Sequence, residues 1–152
     1  MNFRMWGKAL RVIPRIDKDE WDDLDVISKW LISTRSVVLV MTFLSAAFAG
    51  IFAFRAGEFN LVKWLLVTLG LLLAHATNNL LNDYTDFIKG VDEDNYYRNQ
   101  YGPQPLSDGL MTKRQLLTYA LVTGSLAAAA GVALIFLQGG YTWLFMVLGA
   151  FF

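Results

Sequence analysis

Three long stretches without a single charge fix what this chain can become. Ser36 to Phe54, Trp64 to Leu81 and Leu116 to Leu137 run for nineteen, eighteen and twenty-two uncharged residues. A bilayer core of about 30 Å needs roughly 20 apolar residues to cross it as a helix. Each stretch therefore predicts a membrane-spanning helix, over about 36–54, 64–81 and 116–137. A fourth apolar run, 141–152, starts in the same way and covers only about 18 Å at 1.5 Å per residue. The fold class expected is an all-α, polytopic transmembrane helical bundle with three complete membrane helices and the start of a fourth. The short last run reads as part of a larger bundle, truncated after Phe152.

Charge placement orients that bundle. Arg4, Lys8, Arg11, Arg15, Lys18, Lys29 and Arg35 precede the first span, and Lys89, Arg98, Lys113 and Arg114 follow the second. The opposite side has only Arg55 and Lys63. By the positive-inside rule, the N-terminus and the 82–115 loop are cytoplasmic. Thirteen basic residues balance thirteen acidic ones, so net charge argues for no nucleic-acid partner. The chain has no cysteine, which excludes disulfides and thiolate metal sites. The first 35 residues lack the apolar core of a secretory signal, so the first span itself must direct insertion.

The N-terminal segment, 1–35, ends in a stretch that reads as one amphipathic helix from Arg15 to Ser33. Trp21, Leu24, Ile27 and Leu31 fall near one face, and Asp17, Asp19, Glu20, Asp22, Asp23 and Asp25 crowd its first turns. Acidic residues there suit the positive end of a helix dipole. Trp21 and Trp30 suit a membrane interface, so the helix is expected to lie on the bilayer surface. Ala127 to Ala130, with Gly124 and Gly131, supply the small residues that let membrane helices pack closely.

The polar residues at the end of the second span need more than a membrane anchor to explain them. In the run HATNNLLNDYTDFIKGVDED, His75 to Asp94, residues Asn79, Asn82, Asp83 and Asp86 stand at i, i+3, i+4 and i+7, one face of a helix. Leu80, Leu81, Phe87 and Ile88 fall largely off that face. Polar groups near hydrocarbon are costly unless they face a protein interior or a wet cavity. Two carboxylates one turn apart repel each other in a poorly hydrated place, and a divalent cation resolves the repulsion. Oxygen-only donors favour a hard ion such as Mg²⁺, which completes its shell with water and phosphate. The pattern thus points to a diphosphate held by Mg²⁺ at the cytoplasmic mouth of a bundle. An Asn- and Asp-rich helix end running into a solvated loop produces the same pattern without a ligand.

At these residues the chain resembles the UbiA superfamily of intramembrane prenyltransferases. Asn82, Asp83 and Asp86 match the first part of that family's N-D-x-x-D-x-x-x-D motif in register. The final aspartate would fall on Gly90, and Asp92 follows. The N-D-Y-x-D-x-x-x-G-x-D form, with Gly102-Pro103 and Asp108-Gly109 after it, is similar to the branch that prenylates dihydroxynaphthoate for menaquinone. That branch carries a basic residue in its Gly-Pro segment, where Gln104 and Pro105 stand here. The resemblance implies a transmembrane prenyltransferase-like domain over 36–152, with 82–115 as its motif loop. It implies Mg²⁺-dependent transfer of an isoprenyl chain from a polyprenyl diphosphate to an aromatic acceptor, a naphthoate in quinone biosynthesis.

The roles it implies are residue by residue. Asp83 and Asp86 hold the metal, with Asn82 and Asp92 as further ligands. Arg35, Lys89, Arg98 and Asn79 contact the diphosphate. By residue type and position alone, Tyr96, Tyr97 and Tyr101 are candidates to cover the site, and His75 to bond a neighbouring helix. The same resemblance implies a multi-pass protein of a prokaryotic cell membrane. Its second aspartate-rich motif would have to come from a missing C-terminal half or a second chain. Two other readings compete: a split, non-catalytic homologue acting as a membrane assembly partner, and a small ion-binding or transport bundle.

Overall fold

The computed structural model describes residues 1–91 and 102–151 of the chain. Among the described residues every regular element is helical: α1 (Phe3–Ala9), α2 (Lys18–Asp22), α3 (Val26–Ser33), a 3-10 turn (Ser36–Val38), α4 (Leu39–Arg55), α5 (Leu61–Ile88), α6 (Lys113–Gln138) and α7 (Thr142–Phe151). Among the described residues, three helical stretches are long and apolar enough to cross a membrane: Ser36–Arg55, Leu61–Ile88 and Lys113–Gln138. They leave large side chains uncovered, Phe52 at 66%, Leu121 at 70% and Phe136 at 85% exposure among them. Surfaces of that kind are stable against lipid and not against water.

The spans run longer than the uncharged stretches. α5 continues through Asn82, Asp83 and Asp86 to Ile88, so these residues belong to the helix and not to the following loop. Its end explains why glycine stands at position 90. Gly90 is left-handed with φ 65°. Its N–H donates to the Phe87 carbonyl at 3.3 Å, and the Val91 N–H to the Asp86 carbonyl at 3.0 Å. That is a Schellman cap, which glycine favours because it has no Cβ to strain.

The chain falls into two compact units, Met1–Leu39 with Ala76–Leu121, and Val40–His75 with Val122–Phe152. In the first, Met5, Ala9, Trp21, Leu24 and Ile32 from the N-terminal segment share a core with Leu80, Leu106, Leu110, Met111, Leu116 and Ala120. Trp21 is only 2% exposed, so it is a core residue and not a membrane-interface one. The stretch from Arg15 to Ser33 is two helices and not one. Asp17 accepts from the Glu20 N–H at 2.9 Å, and Asp25 accepts from the N–H groups of Ile27 and Ser28, both at 3.1 Å. Two acidic N-caps within one stretch each start a helix, and the second interrupts the first.

In the second unit, small residues admit large neighbours. The Trp64 indole packs over Gly50 and donates to the Ala46 carbonyl at 2.8 Å. Gly70 faces Ala130, and Gly131 faces Met146, the close approach that small residues permit in membrane helices. Lys63 Nζ donates to Gln138 Oε1 at 2.6 Å. His75 meets Thr42 Oγ1 through Nδ1 at 2.7 Å, the interhelical bond expected of a histidine in such a helix.

Candidate functional site

The polar face of α5 acquires its partners from the turn that joins α3 to α4. α3 ends at Ser33, and Thr34 closes it through its hydroxyl, which donates to the Trp30 carbonyl at 2.8 Å. Asn79 Nδ2 donates to the Thr34 carbonyl at 2.8 Å. The next residue, Arg35, takes φ 52° and ψ 52°, left-handed and without glycine's freedom. L-residues visit that region at a cost of about 1–2 kcal/mol. The conformation reverses the chain into the 3-10 turn, and Arg35 Nη2 donates to Asp83 Oδ1 at 2.5 Å.

Among the described motif residues Asp83 is the buried one, at 5% exposure. A carboxylate so placed must be compensated, and the guanidinium opposite it supplies the charge. Asp86 is half-buried, while Asn82 and Lys89 are exposed. The neighbouring face of the same helix end is apolar: Leu80 is fully buried, with Tyr84 and Phe87 packed against the core. Lys113 Nζ stands 5.1 Å from the Phe87 ring centroid, a cation over an aromatic ring. The helix end is therefore fixed on its apolar side and presents Asn79, Asp83 and Asp86 on the other.

Of the residues singled out from sequence, Arg35, Asn79 and Asp83 are brought together on the α3–α4 turn and α5. Asn82, Asp86 and Lys89 lie on the same helix end or just beyond it. Asp92, Arg98, Tyr96, Tyr97 and Tyr101 lie outside the described residues. Among the described residues, no three His, Cys, Asp or Glu side chains gather as a metal site. Asp83 and Asp86 offer two carboxylates one turn apart, the oxygen donors of part of a hard-cation shell.

Three contributors escaped the sequence reading. Asp25 is a clasp: besides capping α3, it accepts from the Asn2 N–H at 2.8 Å and from the Trp6 indole at 3.1 Å. Its signature was available, since Asp25 and Ser28 stand at the spacing of a helix N-cap. Asp108 is a turn lock, accepting from the Gln104 N–H at 2.7 Å while its own N–H donates to the Gln104 carbonyl at 2.9 Å. Arg15, finally, lines a cavity of about 170 Å³ with Ile16, Gly102, Pro103 and Asp108. A cation thus lies beside the Gly-Pro segment, though it comes from the N-terminal segment.

A family model described as the UbiA prenyltransferase family matches residues 43–152. No curated protein matches the chain, and no solved structure does.

Proposed function

Because the chain belongs to the UbiA prenyltransferase family, we propose that it serves the transfer of an isoprenyl chain from a polyprenyl diphosphate to an aromatic acceptor. The observation that carries this reading is the polar end of α5, where a buried Asp83 and a half-buried Asp86 share a face with Asn79. Arg35 reaches that face from the α3–α4 turn. Diphosphate recognition needs cationic donors beside a carboxylate pair able to take a hard cation, and this helix end has both.

Each side chain has a task in that reading. Asp83 and Asp86 would hold Mg²⁺, with Asn82 and Asp92 as further oxygen donors. Bound there, the ion would supply neutralising charge to the departing diphosphate. Arg35 keeps the Asp83 carboxylate oriented, and its remaining guanidinium N–H groups offer donors to phosphate oxygens. Asn79 fixes the Thr34 carbonyl and with it the left-handed turn that aims Arg35. Lys89 and Arg98 add positive charge around the leaving group. A naphthoate-type ring is the proposed acceptor, on the likeness of the N-D-Y-x-D-x-x-x-G-x-D run to the menaquinone branch. The Lys and Arg distribution supports a cytoplasmic N-terminus and motif loop, in the cell membrane of a prokaryote.

The test is binding of a non-hydrolysable isoprenyl diphosphate to the chain in detergent, with and without Mg²⁺. The expected result is Mg²⁺-dependent binding that Asp83→Asn/Asp86→Asn abolishes. Binding that ignores both the metal and the two aspartates would remove the α5 face from the site. If only a longer chain carrying a second aspartate-rich loop binds, the α5 face is half of the site. Failure in both chains sinks the prenyl diphosphate reading.

A further inference from the structure

α1 is fastened on one side and bare on the other. Met5 and Ala9, one turn apart, are buried against the first unit's core. Asp25 clamps the helix start, through the Asn2 N–H and the Trp6 indole. The outward side carries Phe3 and Leu10, 67% and 55% exposed, at i and i+7. Arg4, Lys8 and Arg11, at i, i+4 and i+7, are exposed as well. At 100° per residue Phe3 and Leu10 form an apolar stripe beside a cationic one of Arg4 and Lys8, both turned away from Met5 and Ala9, and Arg11 follows in the turn after the C-cap. Leu10 keeps helical geometry at the C-cap, so the apolar stripe continues to it. No acidic residue occurs before Asp17; the exposed Asp19, Glu20, Asp22 and Asp23 belong to α2 and its cap, not to this face.

We infer that α1 is a docking element for an anionic lipid leaflet. Phe3 and Leu10 enter the acyl boundary while Arg4, Lys8 and Arg11 pair with lipid phosphates. An apolar stripe flanked by basic residues is the pattern of a helix lying in a bilayer interface. Charge complementarity selects the anionic leaflet, since each cation near such a surface strengthens attachment. Chain continuity supplies the proximity: α1 packs on α3, which ends at Ser33, and the first span begins at Ser36. Docking would therefore brace α3 and the Thr34–Arg35 turn that follows it. The inference does not depend on the prenyl-transfer reading.

The absence of cysteine makes the test clean. The full chain carrying Gly7→Cys, a position between the two stripes where an added Cβ meets nothing within 4 Å, is labelled with a polarity-sensitive fluorophore and reconstituted in vesicles of phosphatidylcholine alone or with phosphatidylglycerol. The label should be shielded from an aqueous quencher in the anionic vesicles, and released by high salt. Arg4→Gln/Lys8→Gln/Arg11→Gln should lower the docked-to-free ratio about fivefold per cation, roughly 100-fold together. Equal shielding in both lipids, or shielding that survives salt or the triple substitution, would overturn the anionic-leaflet assignment. A label open to the quencher in both lipids would overturn docking itself. The lipid and salt comparisons leave all three cations in place, so they decide the matter even if the triple variant fails to fold.

Discussion

Arg35 and Asp83 are 48 positions apart in the chain, and their guanidinium and carboxylate meet at 2.5 Å. Their burial is unequal: the side chain of Arg35 is 27% exposed and that of Asp83 only 6%. The two halves of the pair should therefore respond differently to loss of the partner. Arg35→Met takes the guanidinium away from a carboxylate that water scarcely reaches. It should cost about 2–3 kcal/mol, at or below the low end for a broken buried pair because Arg35 is partly screened. Asp83→Asn leaves a guanidinium that can rehydrate, and should cost about 1 kcal/mol. Unfolding of the two variants in detergent measures the difference; equal losses would contradict the asymmetry.

The same arginine sits at φ 52°, so its side chain and its backbone pull in opposite directions. Alanine substituted there loses the ion pair and keeps the strain, whereas glycine loses the pair and relieves the strain. Arg35→Gly is expected to be more stable than Arg35→Ala by about 1 kcal/mol. In binding of a prenyl diphosphate the two should be equally impaired, because neither offers a cation. If Arg35→Ala proves the more stable, the left-handed turn is not a source of strain.

How far the sequence could be read depended on the range of the interaction. The three spans were legible because an uncharged run of bilayer length has few alternatives. Their ends were not, since an apolar run marks only the part of a helix that lies in hydrocarbon, whereas α5 runs on through Asn82, Asp83 and Asp86 and stops only at the Gly90 cap. The motif face was legible, being a matter of helical period. Its pairing with Arg35 was not, because the distance between positions 35 and 83 is set by the whole first unit. The break before α3 could have been read from Asp25, whose capping role was obscured by five neighbouring acids. Trp21 was misplaced at the interface for a related reason: a tryptophan suits a core as well as a headgroup region.

Gly102 is required twice over. Its φ is 120°, and a Cβ there would collide with Ile13 Cγ2 and stand 3.0 Å from Ile13 Cβ. The Gly-Pro turn and the N-terminal segment are thus in contact where Arg15 joins the cavity wall. Gly102→Ala should destabilise by about 2–4 kcal/mol, combining backbone strain with overpacking. Adding Ile13→Ala removes the collision and leaves the backbone cost. The double variant should be more stable than the sum of the single effects by about 1 kcal/mol or more. Strict additivity in a double-mutant cycle would mean that Ile13 does not press on the turn.

Asp25 makes the attachment of α1 dependent on pH. Partial burial pushes its carboxyl up. Hydrogen bonds from the Ser28 and Asn2 N–H groups, the Ser28 hydroxyl and the Trp6 indole outweigh that push and hold it well below the usual carboxylate range. A carboxyl whose folded pKa lies under its unfolded value of about 3.9 stabilises the fold fully above that value. The stabilisation is lost as pH falls further, toward the folded pKa. Attachment of α1 to α3 should accordingly be constant from neutral pH down to about 5 and weaken below about 4. Hydrogen exchange at the amides of Met5, Ile27 and Ser28, corrected for intrinsic rates, reports it directly. Asp25→Asn should lower protection at neutral pH and remove its acid dependence, because the amide neither ionises nor accepts through its nitrogen. An acid-induced loss that persists in Asp25→Asn would place the titrating group elsewhere in the N-terminal segment.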